Sequence, residues 1–266
     1  MLTSTANQQI KHIIRLQKSG KLRKEEGVFL VEGIRMFREI PEPDRVKVYV
    51  TEEWQDQLPA SWFEGSQYEL VSGNIFRLIS DTQTPQGILA VVRQRICERD
   101  DLLGIKQQNG AEEGQPPCIL VLENIQDPGN LGTILRTAEG AGITGIMMSK
   151  DTVDVYNSKV VRATMGAIFR VPFCCEDNLM EGVTWLKEHG ISCYAAHLKG
   201  KSVYEQDYRG ACAFFIGNEG NGLTEALAEQ ADSRIRIPMA GQVESLNAAT
   251  AATVLMYEAL RQRILL

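Results

Sequence analysis

The chain has 266 residues, 44% of them hydrophobic, and its 28 Lys and Arg against 34 Asp and Glu leave a formal net charge of −6. That length suits one large or two modest domains with a real interior, and the composition is ordinary for a soluble globular protein. No apolar run reaches the ~20 residues that span a bilayer and no signal-peptide h-region opens the chain, so the expected location is cytoplasmic, with no membrane partner.

The six cysteines (Cys97, Cys118, Cys174, Cys175, Cys193, Cys212) form no C-x-x-C pair, and His12, His189 and His197 cluster with none of them. Buried reduced thiols are the expected reading, and no metal site is expected. Charge is unevenly spread. Residues 1–24 carry Lys11, Arg15, Lys18, Lys21, Arg23 and Lys24 and no acid. A stretch of that kind has the electrostatic footprint of phosphate binding, although a solvated basic helix shows the same pattern.

In chain order, residues 6–18 place Ile10, Ile13, Ile14 and Leu16 at helical spacing, which predicts an amphipathic helix with a basic outer face. Val28–Glu32 reads as a buried strand, Gly33–Ile40 as a helix stopped by Pro41, and Val46–Val50 as a second strand. A helix over Glu52–Leu58, a strand over Tyr68–Val71, a helix over Asn74–Leu78 and a strand over Ile88–Arg93 complete a small α/β domain, residues 1–97. Residues 98–117 are charged, then polar with paired prolines, and read as a linker.

The second domain, 118–266, opens on Cys118-Ile-Leu-Val-Leu, a continuous apolar run of the kind central parallel strands show. A loop, a helix from about Leu131 to Glu139 and a strand at Gly145–Ser149 make one βαβ unit. Further strands are predicted at Ala167–Pro172, Ile191–Ala196, Cys212–Gly217 and Ser233–Pro238. Helices are predicted at Ser158–Met165, Asn178–Glu188, Leu223–Ala231 and Leu246–Arg263, the last with Ser245 as its N-cap.

Three loops follow predicted strands, where an open α/β sheet builds its ligand crevice. Asn124-Ile-Gln-Asp-Pro-Gly-Asn-Leu-Gly-Thr-Ile-Leu-Arg is neither a G-x-G-x-x-G fingerprint nor a P-loop. It offers freed backbone amides, Asn130 near a helix start and Arg136 further along. Phe214-Phe-Ile-Gly-Asn-Glu-Gly-Asn-Gly carries Gly217, Gly220 and Gly222, which allow close backbone approach, and one carboxylate, Glu219. Ile237-Pro-Met-Ala-Gly-Gln-Val-Glu-Ser-Leu-Asn leads into a helix crowded with Ala and Thr. Taken singly, Arg136 reads equally well as a surface arginine, Glu219 as a helix-start acid and Asn247 as a cap.

Together and in this order, the three segments resemble the three motifs of the SpoU/TrmH family of RNA ribose 2′-O-methyltransferases, within the SPOUT (α/β-knot) superfamily. The likeness runs from Cys118 to the end of the chain. Leu30-Val-Glu-Gly-Ile-Arg and Ser80-Asp-Thr-Gln-Thr-Pro-Gln-Gly resemble, more weakly, the substrate-binding domain often attached to that family. The resemblance implies an α/β fold with a C-terminal trefoil-knotted parallel-sheet domain behind a small RNA-binding domain. It also implies S-adenosylmethionine as cofactor and an obligate homodimer, with part of the dimer contact from the last helix beyond Val254. Gly217, Asn218, Gly220, Ile237, Met239 and Leu246 would hold the cofactor, and Asn130, Arg136, Glu219, Ser245 and Asn247 would form the catalytic site. RNA would be gripped by Lys11, Arg15, Lys18, Arg23, Lys24 and Arg35.

The chemistry suits these residue types. Methyl transfer from a sulfonium is an in-line displacement governed by positioning, and a ribose hydroxyl must be relieved of its proton. A guanidinium is a poor base, so Arg136 is read as a clamp on the neighbouring phosphate, with Glu219 or a phosphate oxygen taking the proton. The two-domain layout points to 23S ribosomal RNA ahead of transfer RNA. A base-nitrogen methyltransferase of the same superfamily and a non-catalytic RNA-binding protein are the rival readings, separated by nucleoside analysis of the product and by cofactor binding.

Overall fold

The computed structural model describes residues 1–59, 62, 67–104 and 115–264. The chain separates into two compact units, each discontinuous in sequence: Met1–Arg95 with Asp154–Phe169, and Ile96–Val153 with Arg170–Leu266.

In the first unit, α1 (Gln8–Lys18) starts where the Asn7 side chain accepts from Gln9 N at 2.8 Å. It buries Ile10, Ile13 and Leu16. Ser19 ends it by turning extended, and Ser19 Oγ then caps α2 (Gly20–Glu26) by accepting from Leu22 N at 3.1 Å. The sequence does not announce α2, because seven residues with a single leucine carry no apolar period. After β1 (Val28–Glu32), α3 (Ile34–Glu39), β2 (Arg45–Thr51), α4 (Glu52–Gln55), β3 (Gln67–Val71) and α5 (Gly73–Ile79), β4 (Ile88–Arg93) enters the middle of the sheet. The strand order is β1-β4-β2-β3, with β4 antiparallel to both neighbours and β2 parallel to β3. Ile10, Ile13, Tyr49, Ile75, Phe76 and Leu89 belong to the core that α1 and α5 close over one face of this sheet.

The second unit is built on a parallel sheet of β5 (Cys118–Leu122), β6 (Gly145–Ser149), β7 (Phe173–Glu176), β8 (Ser192–Ser202), β9 (Cys212–Ile216) and β10 (Ser233–Arg236). Their order is β10-β8-β9-β5-β6-β7. The predicted strand at Ala167–Pro172 is corrected: a 3₁₀ turn occupies Ala167–Phe169, and β7 begins only at Phe173. Every residue of the central strands β5 and β9 is buried, as their unbroken apolar runs require. Helices α6 (Pro128–Gly140), α8 (Leu179–Glu188), α9 (Glu225–Ala228) and α10 (Ala248–Ile264) flank the sheet, and α10 packs on α6 and β9. The chain thus leaves edge strand β10 and returns to the middle of the sheet. Arg263 fastens the far end of α10, donating to the carbonyls of Pro116, Tyr208 and Gly210 at 2.7–3.0 Å.

Two segments sit elsewhere than the sequence suggests. Helix α7 (Ser158–Thr164), predicted within the second domain, belongs to the first unit. Asp154 pairs with Arg23, Asp81 accepts from Ser158 Oγ and Arg162 Nη1, and Tyr156 and Phe169 stack near Phe29. The start of the predicted linker is structured too. Arg99–Leu103 forms a 3₁₀ turn, Leu102 is fully buried in the second unit's core, and Arg99 holds Glu176 through two hydrogen bonds. Residues 105–114 of that linker lie outside the described residues.

Candidate active site

The site forms at the C-terminal ends of β9, β5 and β6, within the second unit. After β5 the chain turns at Glu123 and Asn124, and α6 begins where Asp127 Oδ1 accepts from Asn130 N at 2.8 Å with Pro128 behind it. After β9, Gly217 leads into a tight turn in which Asn218 and Gly222 exchange two backbone hydrogen bonds. A Cβ on Gly217 would lie 2.1 Å from Leu223 N, so the room the glycine gives is taken by the loop itself. Thr224 closes the loop by donating from N and Oγ1 to Glu123, both at 2.7 Å.

Glu219 stands at the top of that turn. Its carboxylate accepts from Gln126 N at 3.1 Å, Asp127 N at 3.0 Å and Asn130 Nδ2 at 3.0 Å. Burial pushes its pKa up, but the bonds from the Asn130 side chain and the surrounding backbone amides outweigh burial and hold it below the usual range. A carboxylate only accepts, so Asn130 must turn its amino group toward it and its Oδ1 away. That Oδ1 accepts from Asn247 Nδ2 at 2.9 Å. Asn247 Oδ1 is then left to cap α10, accepting from Ala249 N at 2.9 Å and Thr250 N at 3.2 Å. Asn247, not Ser245, is therefore the N-cap of this helix, which starts two residues later than predicted.

Three predicted catalytic residues, Asn130, Glu219 and Asn247, are thus joined by one run of hydrogen bonds. Arg136 lies further along α6, exposed and paired with no acid among the described residues. Ser245 is exposed and bonds to no described side chain. Asn218 holds its own turn through Gly220 N at 2.9 Å and Asn221 N at 3.2 Å, and its Nδ2 donates to Asn124 O at 2.8 Å.

Asn124 is the residue that reading by motif passed over. It adopts φ +55°, a left-handed conformation uncommon outside glycine but most accessible to Asn and Asp. Its N donates to Ser149 Oγ at 2.9 Å, and its Oδ1 accepts from the same hydroxyl at 2.8 Å. One asparagine so ties the ends of β5, β6 and β9 together. The available signal was a lone Asn directly after an apolar strand.

Between β10 and α10, the run Ile237–Leu246 makes no backbone–backbone hydrogen bond among the described residues. Ile237, Met239 and Leu246 are half-buried within it. Unspent main-chain donors and acceptors beside aliphatic side chains and a thioether fit a cofactor with a heteroaromatic base and a sulfur-bearing chain. Among the described residues no group of His, Cys, Asp and Glu gathers as a metal site, and no helix is long and apolar enough to cross a membrane.

Residues 117–257 match the family model described as the SpoU rRNA Methylase family. The chain belongs to the SpoU rRNA methylase family. Residues 7–90 match the MRM3-like substrate binding domain. A 23S rRNA (guanosine(2553)-2′-O)-methyltransferase of Bacillus subtilis is 31% identical over 96% of this chain and 97% of its own. Among solved structures, an AdoMet-bound rRNA methyltransferase from Sinorhizobium meliloti superposes with a TM-score of 0.85 at 29% identity, covering 98% of this chain and 97% of the other. The SpoU methyltransferase AviRb from Streptomyces viridochromogenes, in complex with AdoMet, gives 0.83 at 26% identity over 97% and 98%. The family, the α/β fold with its parallel SPOUT sheet, the enzyme class and the cofactor expected from the sequence therefore hold.

One predicted RNA contact is corrected. Lys11, Arg15, Lys18, Lys24 and Arg35 are exposed, but Arg23 is only 5% exposed. Its guanidinium donates to the carbonyls of Leu16 and Gln17 and pairs with Asp154, which spends four of its five N–H donors inside the fold and leaves it too buried to meet a phosphate.

Proposed function

We propose that this SpoU methylase transfers a methyl group to a ribose 2′-hydroxyl of 23S ribosomal RNA, acting in the cytoplasm as a homodimer. The observation that carries the choice of RNA is the end-to-end match, through both units, to a methyltransferase named for 23S rRNA. S-adenosylmethionine, when bound, supplies an electrophilic methyl group for in-line displacement by the ribose oxygen.

The main chain of Ile237–Leu246 holds the cofactor together with Gly217, Asn218 and Gly220, and Ile237, Met239 and Leu246 give it apolar contact. Arg136 grips the phosphate beside the target ribose and lowers the pKa of its hydroxyl by proximity of charge. Glu219 already accepts three N–H bonds and has a lowered pKa, so it serves as the anchor of the site and not as its base. A phosphate oxygen of the substrate takes the proton. Asn130 and Asn247 hold the geometry from either side, and Ser245 faces the ribose. Tyr257 and Ile264, 48% and 63% exposed on α10, are offered as part of the dimer contact.

Incubating total RNA with methyl-labelled S-adenosylmethionine, fractionating by size and mapping by reverse-transcription stops at low nucleotide tests this reading. Label in 23S RNA at a ribose supports it. Label confined to transfer RNA selects the alternative substrate, and no label at all returns the chain to a binding role. Light scattering on the purified protein reads the oligomeric state.

A further inference from the structure

The elbow between α1 and α2 forms an open groove of about 490 Å³. Ile14 and Leu22, half-buried against the first unit's core, form its floor, and Arg15, Lys18 and Lys21 stand around it with one acid, Glu25. Arg15 and Lys18 make no ion pair with any described residue. Lys21 reaches Glu25 at 3.7 Å, with side chains 86% and 58% exposed, a pair that water screens almost completely.

The groove is built in advance of any ligand. Ser19 serves both helices, its N donating to Arg15 O and its Oγ accepting from Leu22 N. Buried Arg23 then braces the elbow from behind by holding the last carbonyls of α1. Gln94 Nε2 donates to both Arg23 O and Val28 O at 3.0 Å, fixing the far end of α2.

A recessed aliphatic floor edged by three cations matches a ligand that joins a flat weakly polar face to an anion, and the volume is in the range of small-ligand sites. From this we infer that the elbow holds one unpaired nucleotide of the RNA substrate, the base laid on Ile14 and Leu22 and its flanking phosphates among Arg15, Lys18 and Lys21. A base locked in a duplex cannot reach a recessed floor, so the groove selects single-stranded or looped RNA. The inference rests on the RNA methyltransferase reading. Anionic lipid would meet the same charges but needs a projecting apolar face, and here the aliphatic side chains are recessed.

The test uses the full chain and a short mixed-sequence RNA, single-stranded or annealed to its complement, titrated over a salt series. The single strand binds more tightly than the duplex. In R15A/K18A its affinity falls at least about tenfold and the slope of log K against log salt drops by about 1.4, as two phosphate contacts on a single strand require. Glu25→Gln, which removes the one acid among the described residues lining the groove, tightens binding. A circular-dichroism spectrum and thermal unfolding curve matching wild type show the variants folded. The inference is overturned if R15A/K18A keeps wild-type affinity and salt slope, if duplex and single strand bind alike, or if the variant loses anionic-vesicle binding but not RNA. Methyl transfer to total RNA is measured separately: failure there with wild-type protein removes the enzymatic reading, whereas failure of the groove variants to weaken binding removes only the groove.

Discussion

Asn247 Nδ2 donates to Asn130 Oδ1 at 2.9 Å across a sequence separation of 117 residues. The bond couples the cap of α10 to the Glu219 network, because each asparagine spends its other side-chain group elsewhere. Stability and activity should therefore separate by substitution. Asn247→Ala removes the cap and costs about 1 kcal/mol, seen as a fall of a few degrees in Tm. Asn247→Asp keeps an acceptor for Ala249 N but turns an oxygen toward Asn130 Oδ1. It should hold unfolding free energy within about 0.5 kcal/mol of wild type while kcat falls at least about tenfold. An Asp variant as active as wild type would dissolve the link between cap and site.

Glu219→Gln puts an amino group against a backbone or Asn130 N–H and leaves donors facing donors, an unpaired cost of about 1–3 kcal/mol. The expected readout is a 10- to 100-fold loss of kcat with the pH–rate profile above pH 6 unchanged in shape, because the carboxylate is ionised throughout that range. Its folded pKa lies below the ordinary 4.5. Its contribution to stability is thus full above that value and lost as pH falls through the folded pKa. The acid-side decline in Tm below about pH 4.5 should be shallower in the Gln variant. A change in shape between pH 6 and 9 would instead restore Glu219 as the base.

Arg136 is the one predicted catalytic group with a charge to spare, since no acid among the described residues pairs with it. Arg136→Lys retains the charge but loses the bidentate fork, and kcat should fall about 10- to 100-fold. Arg136→Ala should lose about 100-fold or more with little change in Tm, as expected of an exposed side chain. Wild-type turnover in the Lys variant would exclude a phosphate clamp at this position.

Much of this was legible in the residues because local chemistry and tertiary role agree there. The buried runs Cys118–Leu122 and Cys212–Ile216 are central strands, and Asn130, Glu219 and Asn247 meet as the order of motifs implied. What stayed hidden depends on partners distant in sequence. The N-cap moved from Ser245 to Asn247 because Asn130 fixes which way Asn247 turns. Helix α7 joined the first unit because Asp81, Phe29 and Arg23 supply partners no local pattern reveals. By sequence Asn124 is one more polar loop residue after β5; its role rests on its positive φ and on its bonds to the ends of β6 and β9.

Arg23 shows the same limit in a form that can be measured. Read by charge it is one of six cations in the basic N-terminal stretch, yet it sits 5% exposed with its donors on Leu16 O, Gln17 O and Asp154. Removing one partner of a buried charge pair costs about 3–5 kcal/mol. Because the Asp154 side chain remains 36% exposed and can rehydrate, the lower end, about 3 kcal/mol, is expected for Arg23→Ala. Lys24→Ala, one residue on and exposed, should change stability by no more than about 0.5 kcal/mol. Chemical denaturation followed by tryptophan fluorescence compares the two. Equal stability in the two variants would return Arg23 to the surface and reopen it as an RNA contact, whereas the expected gap assigns it to the elbow that shapes the α1–α2 groove.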